Sequence, residues 1–251
     1  MARLDYEQRR AYIRRSDDGY YTTAMHYAAV HVLEAFKERK PIRTEIGFGE
    51  VRVTRRFVGF KKIKFGTGEN IGYGELNLPE LDLHTMAYWV HLRAEAFSDL
   101  AIEAKGDPDH WARLVQGIGS VLQTAASLKM MCDPRDLEIC IGSVHHDQWW
   151  STEYEGLRVR DRDGGEAEEP GRIGPALYDP HIFLYDRYPG GVGLGEGLFD
   201  DHEDFMARAA ELVISCPCEQ GCPGCVGPPE REGSAVKREV GQILRSLGER
   251  V

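Results

Sequence analysis

A run of cysteines near the C-terminal end limits how this chain can fold. Cys216, Cys218, Cys222 and Cys225 are four of its six cysteines, and they lie in the sequence Cys-Pro-Cys-Glu-Gln-Gly-Cys-Pro-Gly-Cys. Four thiolates bind one zinc ion, which then replaces part of a hydrophobic core. The clustering of four cysteines therefore favours a single structural Zn²⁺ in the loop 216–225, although the first pair, Cys-x-Cys, has an unusual spacing for a zinc site. Disulfides and an iron–sulfur cluster are the alternatives.

Composition and charge narrow the class of protein. The chain has 251 residues, of which 42% are hydrophobic and 29% charged, as is usual for a globular protein. We see no membrane-spanning apolar run and no signal peptide, so we predict a cytoplasmic protein without a membrane partner. A reducing compartment favours a metal over disulfides. The net charge of −10 argues against nucleic-acid contact over the whole surface and leaves only a local basic face for it.

Apolar residues recur at helical spacing in three segments of the N-terminal half. We predict helices over residues 22–36, 83–104 and 108–128. A short turn at 106–108 separates the last two, so we expect them to form an antiparallel pair and the main helical layer.

The most basic part of the chain lies between residues 50 and 65. Its apolar residues alternate, which predicts a hairpin or two short strands around Gly59. Basic residues interleaved with phenylalanines can hold a phosphate backbone and stack bases, whereas the alternative is a solvated strand face whose aromatic residues belong to the core. The candidate DNA-binding residues are Arg52, Arg55, Arg56, Lys61, Lys62 and Lys64.

The C-terminal half predicts two strands, a glycine turn and two helices. Strands are expected at 137–141 and 180–186, and helices at 205–213 and from Ser234 to 247. The second strand ends at Asp186, a residue type that often caps a following turn. We expect a structural turn there, formed by Asp186, Gly190, Gly191 and Gly193.

Two catalytic alternatives use residues in the same half of the chain. One is a hydrolase that uses His181 or Asp186 beside the glycine turn, or the segment 145–147 with its two histidines and an aspartate. No nucleophile–base pair can be placed for it from the sequence. The other is thiol redox chemistry by Cys222 and Cys225, but four clustered thiols suit a metal better.

These patterns predict one α+β domain over residues 1–251. We expect a helical layer packed on short, mostly antiparallel strands, with the zinc loop between two C-terminal helices. Residues 1–20 are a lead-in, and residues 161–170 are an exposed acidic loop.

Several of these segments resemble one known family. The run Ile-Phe-Leu-Tyr-Asp at 182–186, the turn Pro-Gly-Gly-Val-Gly-Leu at 189–194 and the ending Gly-Cys-Pro-Gly-Cys-Val at 221–226 resemble the MrfA-associated zinc-binding domain. That domain lies at the C-terminus of MrfA-type (YprA-type) DEAD/DEAH-box DNA-repair helicases, and related versions occur in DISARM-type phage defence. The resemblance covers most of the chain and is most specific over 182–226.

The resemblance implies a function without catalysis by this chain. It implies that the four clustered cysteines bind Zn²⁺, and that the chain is an accessory domain that contacts DNA or docks on helicase motor domains in cis or in trans. The sequence has neither a phosphate-binding Gly-x-x-x-x-Gly-Lys-[Ser/Thr] loop nor a DEAD or DEAH box, so we expect that it does not bind ATP.

Overall fold

A computed structural model of the protein describes residues 3–5, 7–15, 17–41, 43–93, 95–98, 108–142, 150–151, 180–227 and 235–248. The acidic segment 161–170, the segment 145–147 and Ser234 lie outside these residues. The elements, in chain order, are β1 (Arg3–Asp5), β2 (Arg10–Tyr12), β3 (Tyr20–Arg39), β4 (Thr44–Lys64), β5 (Asn70–Glu75), β6 (Leu81–Leu92), α1 (Glu95–Ser98), α2 (Pro108–Met130), β7 (Leu137–Gly142), β8 (Trp150–Ser151), β9 (His181–Asp186), α3 (Leu194–Asp200), α4 (His202–Ser215) and α5 (Val236–Gly248).

The chain divides into two compact units. Unit 1 comprises Met1–Met25 and Phe57–Leu78, and unit 2 comprises His26–Arg56 and Pro79–Val251. In unit 1, β1 pairs with β2 and the end of β4 pairs with β5, both antiparallel. The single domain over 1–251 stays a prediction.

Two of the predicted helices are strands. Residues 22–36 belong to β3, and residues 83–92 belong to β6. In β3, the alternate residues Ala28, Val30 and Val32 pack together on one face of the sheet, which is the strand period. From Thr85 to Leu92, strand β6 is largely buried on both faces, and an apolar run of this kind hides the period-two signal. The predicted antiparallel helix pair is therefore wrong.

The predicted hairpin around Gly59 is also corrected. Strand β4 runs without a turn through Gly59 for 21 residues, and its hairpin partner is the separate strand β5. Strand β4, of 21 residues, is longer than the short strands predicted there, and the 20-residue β3 stands where a helix was predicted.

The sheet of unit 2 is strongly curved. Its strand order is β7-β9-β6-β4-β3-β8. Three strands separate β7 from β3, yet Cys140 Sγ of β7 lies 3.9 Å from the carbonyl oxygen of Ala28 in β3. The concave face encloses a small apolar cluster that includes Val51, Trp89 and Phe183.

Helices cover the other face of this sheet. Ile46, Tyr88 and Leu184 of the sheet join the main core, together with residues of α2, α4 and α5. The predicted helices at 108–128, 205–213 and up to 247 correspond to α2, α4 and α5, and the strands at 137–141 and 180–186 correspond to β7 and β9. The prediction of an α+β fold with a helical layer on mostly antiparallel strands is confirmed. No helix within the described ranges is long and apolar enough to cross a membrane.

Strands β3 and β4 approach each other closely at Gly49 in unit 2. A Cβ atom at Gly49 would overlap the carbonyl oxygen of Glu34 and lie 2.9 Å from Ala35 Cα. We expect Gly49→Ala to destabilise the protein by about 2 kcal/mol or more, because backbone atoms would have to move. Gly241→Ala on α5 is the matched control, since its Cβ would meet Val213 Cγ1 at an ordinary 3.4 Å. Urea unfolding measures the free energy of unfolding of both variants. Equal values would contradict the close approach of the two strands at Gly49.

His202 makes the stability of unit 2 depend on pH. Its ring is almost fully buried, its Nδ1 lies 2.7 Å from the Tyr88 hydroxyl, and burial lowers its pKa from 6.5 to about 4. The unfolded chain therefore takes up a proton that the folded chain does not. This costs about 3 kcal/mol of stability, lost as the pH falls from about 6.5 to about 4.

The test compares the wild type with His202→Gln by urea unfolding between pH 7.5 and 4.5. The cysteines also take up protons in acid, so the informative quantity is the difference between the two proteins. We expect the free energy of unfolding to fall less steeply in the variant. Parallel curves would contradict the role of His202.

Candidate metal centre

The four cysteines of the loop 216–225 converge on one point. Their sulfur atoms all lie within 4.8 Å of one another. Four of the separations are 3.5 Å for Cys216–Cys218, 3.6 Å for Cys216–Cys222, 3.6 Å for Cys218–Cys225 and 3.7 Å for Cys222–Cys225. None of the cysteines is disulfide-bonded.

These separations match the geometry of one tetrahedral ion. Zinc–sulfur bonds of about 2.3 Å place tetrahedral sulfur atoms about 3.8 Å apart, close to the observed edges. The space at the centre takes a single atom, whereas an iron–sulfur cluster holds several metal and sulfide ions. The donor set therefore fits Zn²⁺.

The backbone of the loop is shaped around these sulfur atoms. The amide of Cys222 donates a hydrogen bond to Cys225 Sγ at 3.3 Å, and the amides of Cys225 and Gly227 both donate to the Cys222 carbonyl. Gly221 has φ of 126°, and a Cβ there would lie 2.7 Å from the Gly227 carbonyl oxygen. Only glycine fits that position without a shift of the backbone.

The loop is attached to the core on both sides. It follows α4 directly and precedes α5, as predicted. Cys225 is fully buried and belongs to the main hydrophobic core with Val226. On α5, Lys237 Nζ donates to the carbonyl oxygens of Cys216, at 2.8 Å, and of Cys218. Sequence reasoning missed Lys237, because no spacing rule links a helix lysine to carbonyl groups about twenty residues earlier.

The four thiols differ in their environment. Burial raises the pKa of Cys225 to about 12. Burial acts in the same direction on Cys218, but hydrogen bonds from the other cysteines outweigh it and lower its pKa to about 7. A cation at the centre would favour the thiolate form of all four.

The glycine turn after β9 is held by Asp186. Its Oδ2 accepts hydrogen bonds from the amides of Val192 at 2.5 Å and of Gly193 at 3.0 Å. The side chain is fully buried, and burial raises its pKa. Gly190, Gly191 and Gly193 all have positive φ, and a Cβ at Gly191 would lie 2.6 Å from Met86 Cγ. The carboxylate thus organises the backbone of the turn.

The candidate hydrolase residues do not converge on a reactive centre among the described residues. His181 is buried, and its ring stacks on that of His91 with centroids 4.1 Å apart. His181 and Asp186 occupy opposite ends of the six-residue strand β9. The segment 145–147 lies outside the described residues. The geometry around Asp186 is that of a structural turn.

The six candidate DNA-binding residues fall in both units. Arg52, Arg55 and Arg56 belong to unit 2. Arg55 bonds Glu138 and, at 3.3 Å, the Tyr185 hydroxyl, while Arg56 donates to Glu80 at 2.7 Å. These two arginines already have carboxylate partners, which reduces what they can offer a phosphate.

The three lysines belong to unit 1, on the end of β4. Lys64 is exposed, and Lys61 and Lys62 are half-buried. Lys62 Nζ lies 5.5 Å from the centre of the Tyr20 ring, a cation–π geometry.

Asp186→Ala should destabilise the protein. The substitution removes the acceptor of the two part-buried hydrogen bonds from the Val192 and Gly193 amides, at a cost of about 1 kcal/mol for each lost bond. Asp186→Asn keeps an acceptor oxygen and should cost less. Chemical denaturation of both variants measures this order. Equal losses would show that the bonds from Asp186 to the turn contribute little.

Comparison with known proteins adds the family context. Residues 118–226 match the family model of the MrfA Zn-binding domain. The "Uncharacterized ATP-dependent helicase YprA" of Bacillus subtilis (strain 168) is 35% identical over 249 residues, which cover 98% of this chain and 28% of that protein.

Solved structures agree with this relationship. The crystal structure of the DUF1998 helicase MrfA bound to DNA is similar with a TM-score of 0.63 and 34% identity, over 98% of this chain and 28% of that one. The crystal structure of DUF1998 helicase MrfA gives a TM-score of 0.53 and 28% identity, over 95% and 26%. The chain thus spans under a third of these relatives. The resemblance predicted from the sequence is confirmed: residues 118–226 match the family model of the MrfA Zn-binding domain, and almost the whole chain is similar to part of these helicases.

Proposed function

We propose that this chain is a non-catalytic accessory domain of an ATP-dependent DNA helicase. The observation that carries the proposal is the four-cysteine centre, which stands between α4 and α5 in a domain that matches MrfA-type helicases over almost the whole chain. We assign DNA repair or phage defence as its setting. In the cell, the chain works in the cytoplasm.

Zinc has a structural role in this proposal. Cys216, Cys218, Cys222 and Cys225 bind one Zn²⁺ and so fix the end of α4 relative to the start of α5. Because Cys225 and Val226 belong to the main core, the ion also anchors the loop against α2 and the sheet. The ion contributes folding free energy directly.

In this proposal, ATP hydrolysis and DNA contact belong to different domains. The chain has no ATP-binding loop, so ATP is bound and hydrolysed by motor domains, in cis or in trans. The acidic balance of the chain, −10, favours docking on basic surfaces of those domains. The basic end of β4 contacts DNA phosphates through Lys61, Lys62 and Lys64, and Arg52, Arg55 and Arg56 play a smaller part.

Lysine substitutions test the DNA contact. Fluorescence anisotropy with labelled DNA should show weaker binding for a Lys61→Ala, Lys62→Ala, Lys64→Ala triple variant, with a salt slope reduced by about 2 on single strands. Lys40→Ala, which removes a lysine in unit 2, is the control. Unchanged binding by the triple variant would exclude these lysines.

The docking role has its own test. The chain alone should not hydrolyse ATP, and it should co-purify with the motor domains of a related helicase from which the matching region has been removed. Activity of the chain alone, or the absence of any complex, would contradict the accessory role.

Lys237 should affect how firmly the metal is held. It bonds two loop carbonyls, and groups that orient metal ligands from outside typically change metal affinity by about 10-fold or more when removed. We expect Lys237→Met to release zinc faster to a chromophoric chelator. Arg238→Met, which changes the neighbouring exposed residue of α5, is the control. Identical release by both variants would contradict the role of Lys237.

A further inference from the structure

Unit 1 presents aromatic rings to solvent beside its lysines. Tyr21 is 47% exposed, Tyr73 57% and Phe65 61%. Rings of this size are usually buried, and a group of them at the surface of a protein commonly marks a binding site.

The three rings share one face of unit 1. Tyr73 of β5 pairs with Lys61 of β4, so their side chains lie on the same side of the hairpin. Tyr20 of β3 lies against Lys62 of β4, so the next residue, Tyr21, points to the opposite face, which is the face of Lys61. Tyr21 contacts Phe65, with ring centroids 5.5 Å apart.

The spacing and charge of this face suit a polymer with flat groups and a negative backbone. Phe65 is four positions after Lys61, about 13 Å along an extended chain, so the Tyr73 ring and the Tyr21–Phe65 pair can each take a different base. Lys61 lies on this face, and Lys64 is exposed on the same strand. Aromatic rings stack on every type of base when the bases are unpaired, and duplex DNA does not offer its base faces.

We propose that Tyr21, Phe65 and Tyr73 form a stacking platform for single-stranded nucleic acid. This inference rests on the proposed DNA contact and specifies its substrate, because lysines alone would bind single strands and duplex through phosphates. Base stacking adds a preference for the single strand and little preference for sequence.

The experiment uses the full 251-residue chain with its metal. Fluorescence anisotropy measures binding to a labelled oligo(dT) and to a duplex of equal length at the same low salt. Tyr73→Ala and Phe65→Ala should each weaken oligo(dT) binding by about 5- to 150-fold, the range expected for one lost base stack, and leave duplex binding almost unchanged. Tyr73→Trp keeps a ring and should retain affinity.

Two further variants test whether the effect is specific to base stacking on this face. Tyr188→Ala removes a ring of similar exposure, 46%, from unit 2 and should have no effect. Phe65→Trp supplies a fluorophore on the platform, and oligo(dT) should quench it while the duplex does not.

The outcomes distinguish this inference from the proposed function. If the lysine variants bind DNA more weakly while the ring variants bind oligo(dT) as well as the wild type does, the platform is overturned and the phosphate contact is retained. If the wild-type chain binds neither oligo(dT) nor the duplex, the platform and the proposed DNA contact both fail. Ring variants that bind oligo(dT) normally but no longer co-purify with helicase motor domains would show a protein interface and overturn the platform.

Discussion

The convergence of four sulfur atoms is the interaction on which the C-terminal part of this protein depends. Apart from its cysteines, the loop consists of two prolines, two glycines, Glu219 and Gln220, so it has little apolar surface with which to hold itself in place. Its cysteines join it to the rest of unit 2, since Cys225 enters the main core and the other three pack against it, and Lys237 bonds the carbonyls of Cys216 and Cys218. A single Zn²⁺ at the centre supplies the attraction that this loop cannot obtain from hydrophobic burial.

Burial and hydrogen bonding distinguish the structural polar groups from those that can bind a partner. Asp186 and His202 are buried and bonded to neighbouring backbone or side-chain groups, which makes them parts of the scaffold. Arg55 and Arg56 are satisfied by carboxylates within unit 2. The exposed lysine and aromatic side chains of unit 1 are different, because they present charge and ring faces to solvent and so can serve binding.

The sequence was informative where the signal is local. The four cysteines are close in the chain, and α2, α4 and α5 are amphipathic helices beside a core, so spacing alone predicted both. It failed for β3 and β6, where pairing with distant strands decides the structure; in β6, burial on both faces from Thr85 onward also removes the alternation. The contact of Cys140 with Ala28 and the bonds of Lys237 join residues far apart in sequence, so no pattern could reveal them.

The most direct test of this account is elemental analysis of the purified, untagged chain and of its Cys222→Ser variant, combined with thermal unfolding before and after chelation. The account predicts about one zinc per chain, a colourless protein, and a large fall in Tm on chelation or in Cys222→Ser, while Cys132→Ser outside the cluster retains both zinc and stability. Full metal content and an unchanged Tm in Cys222→Ser, or a brown protein that contains iron, would contradict it.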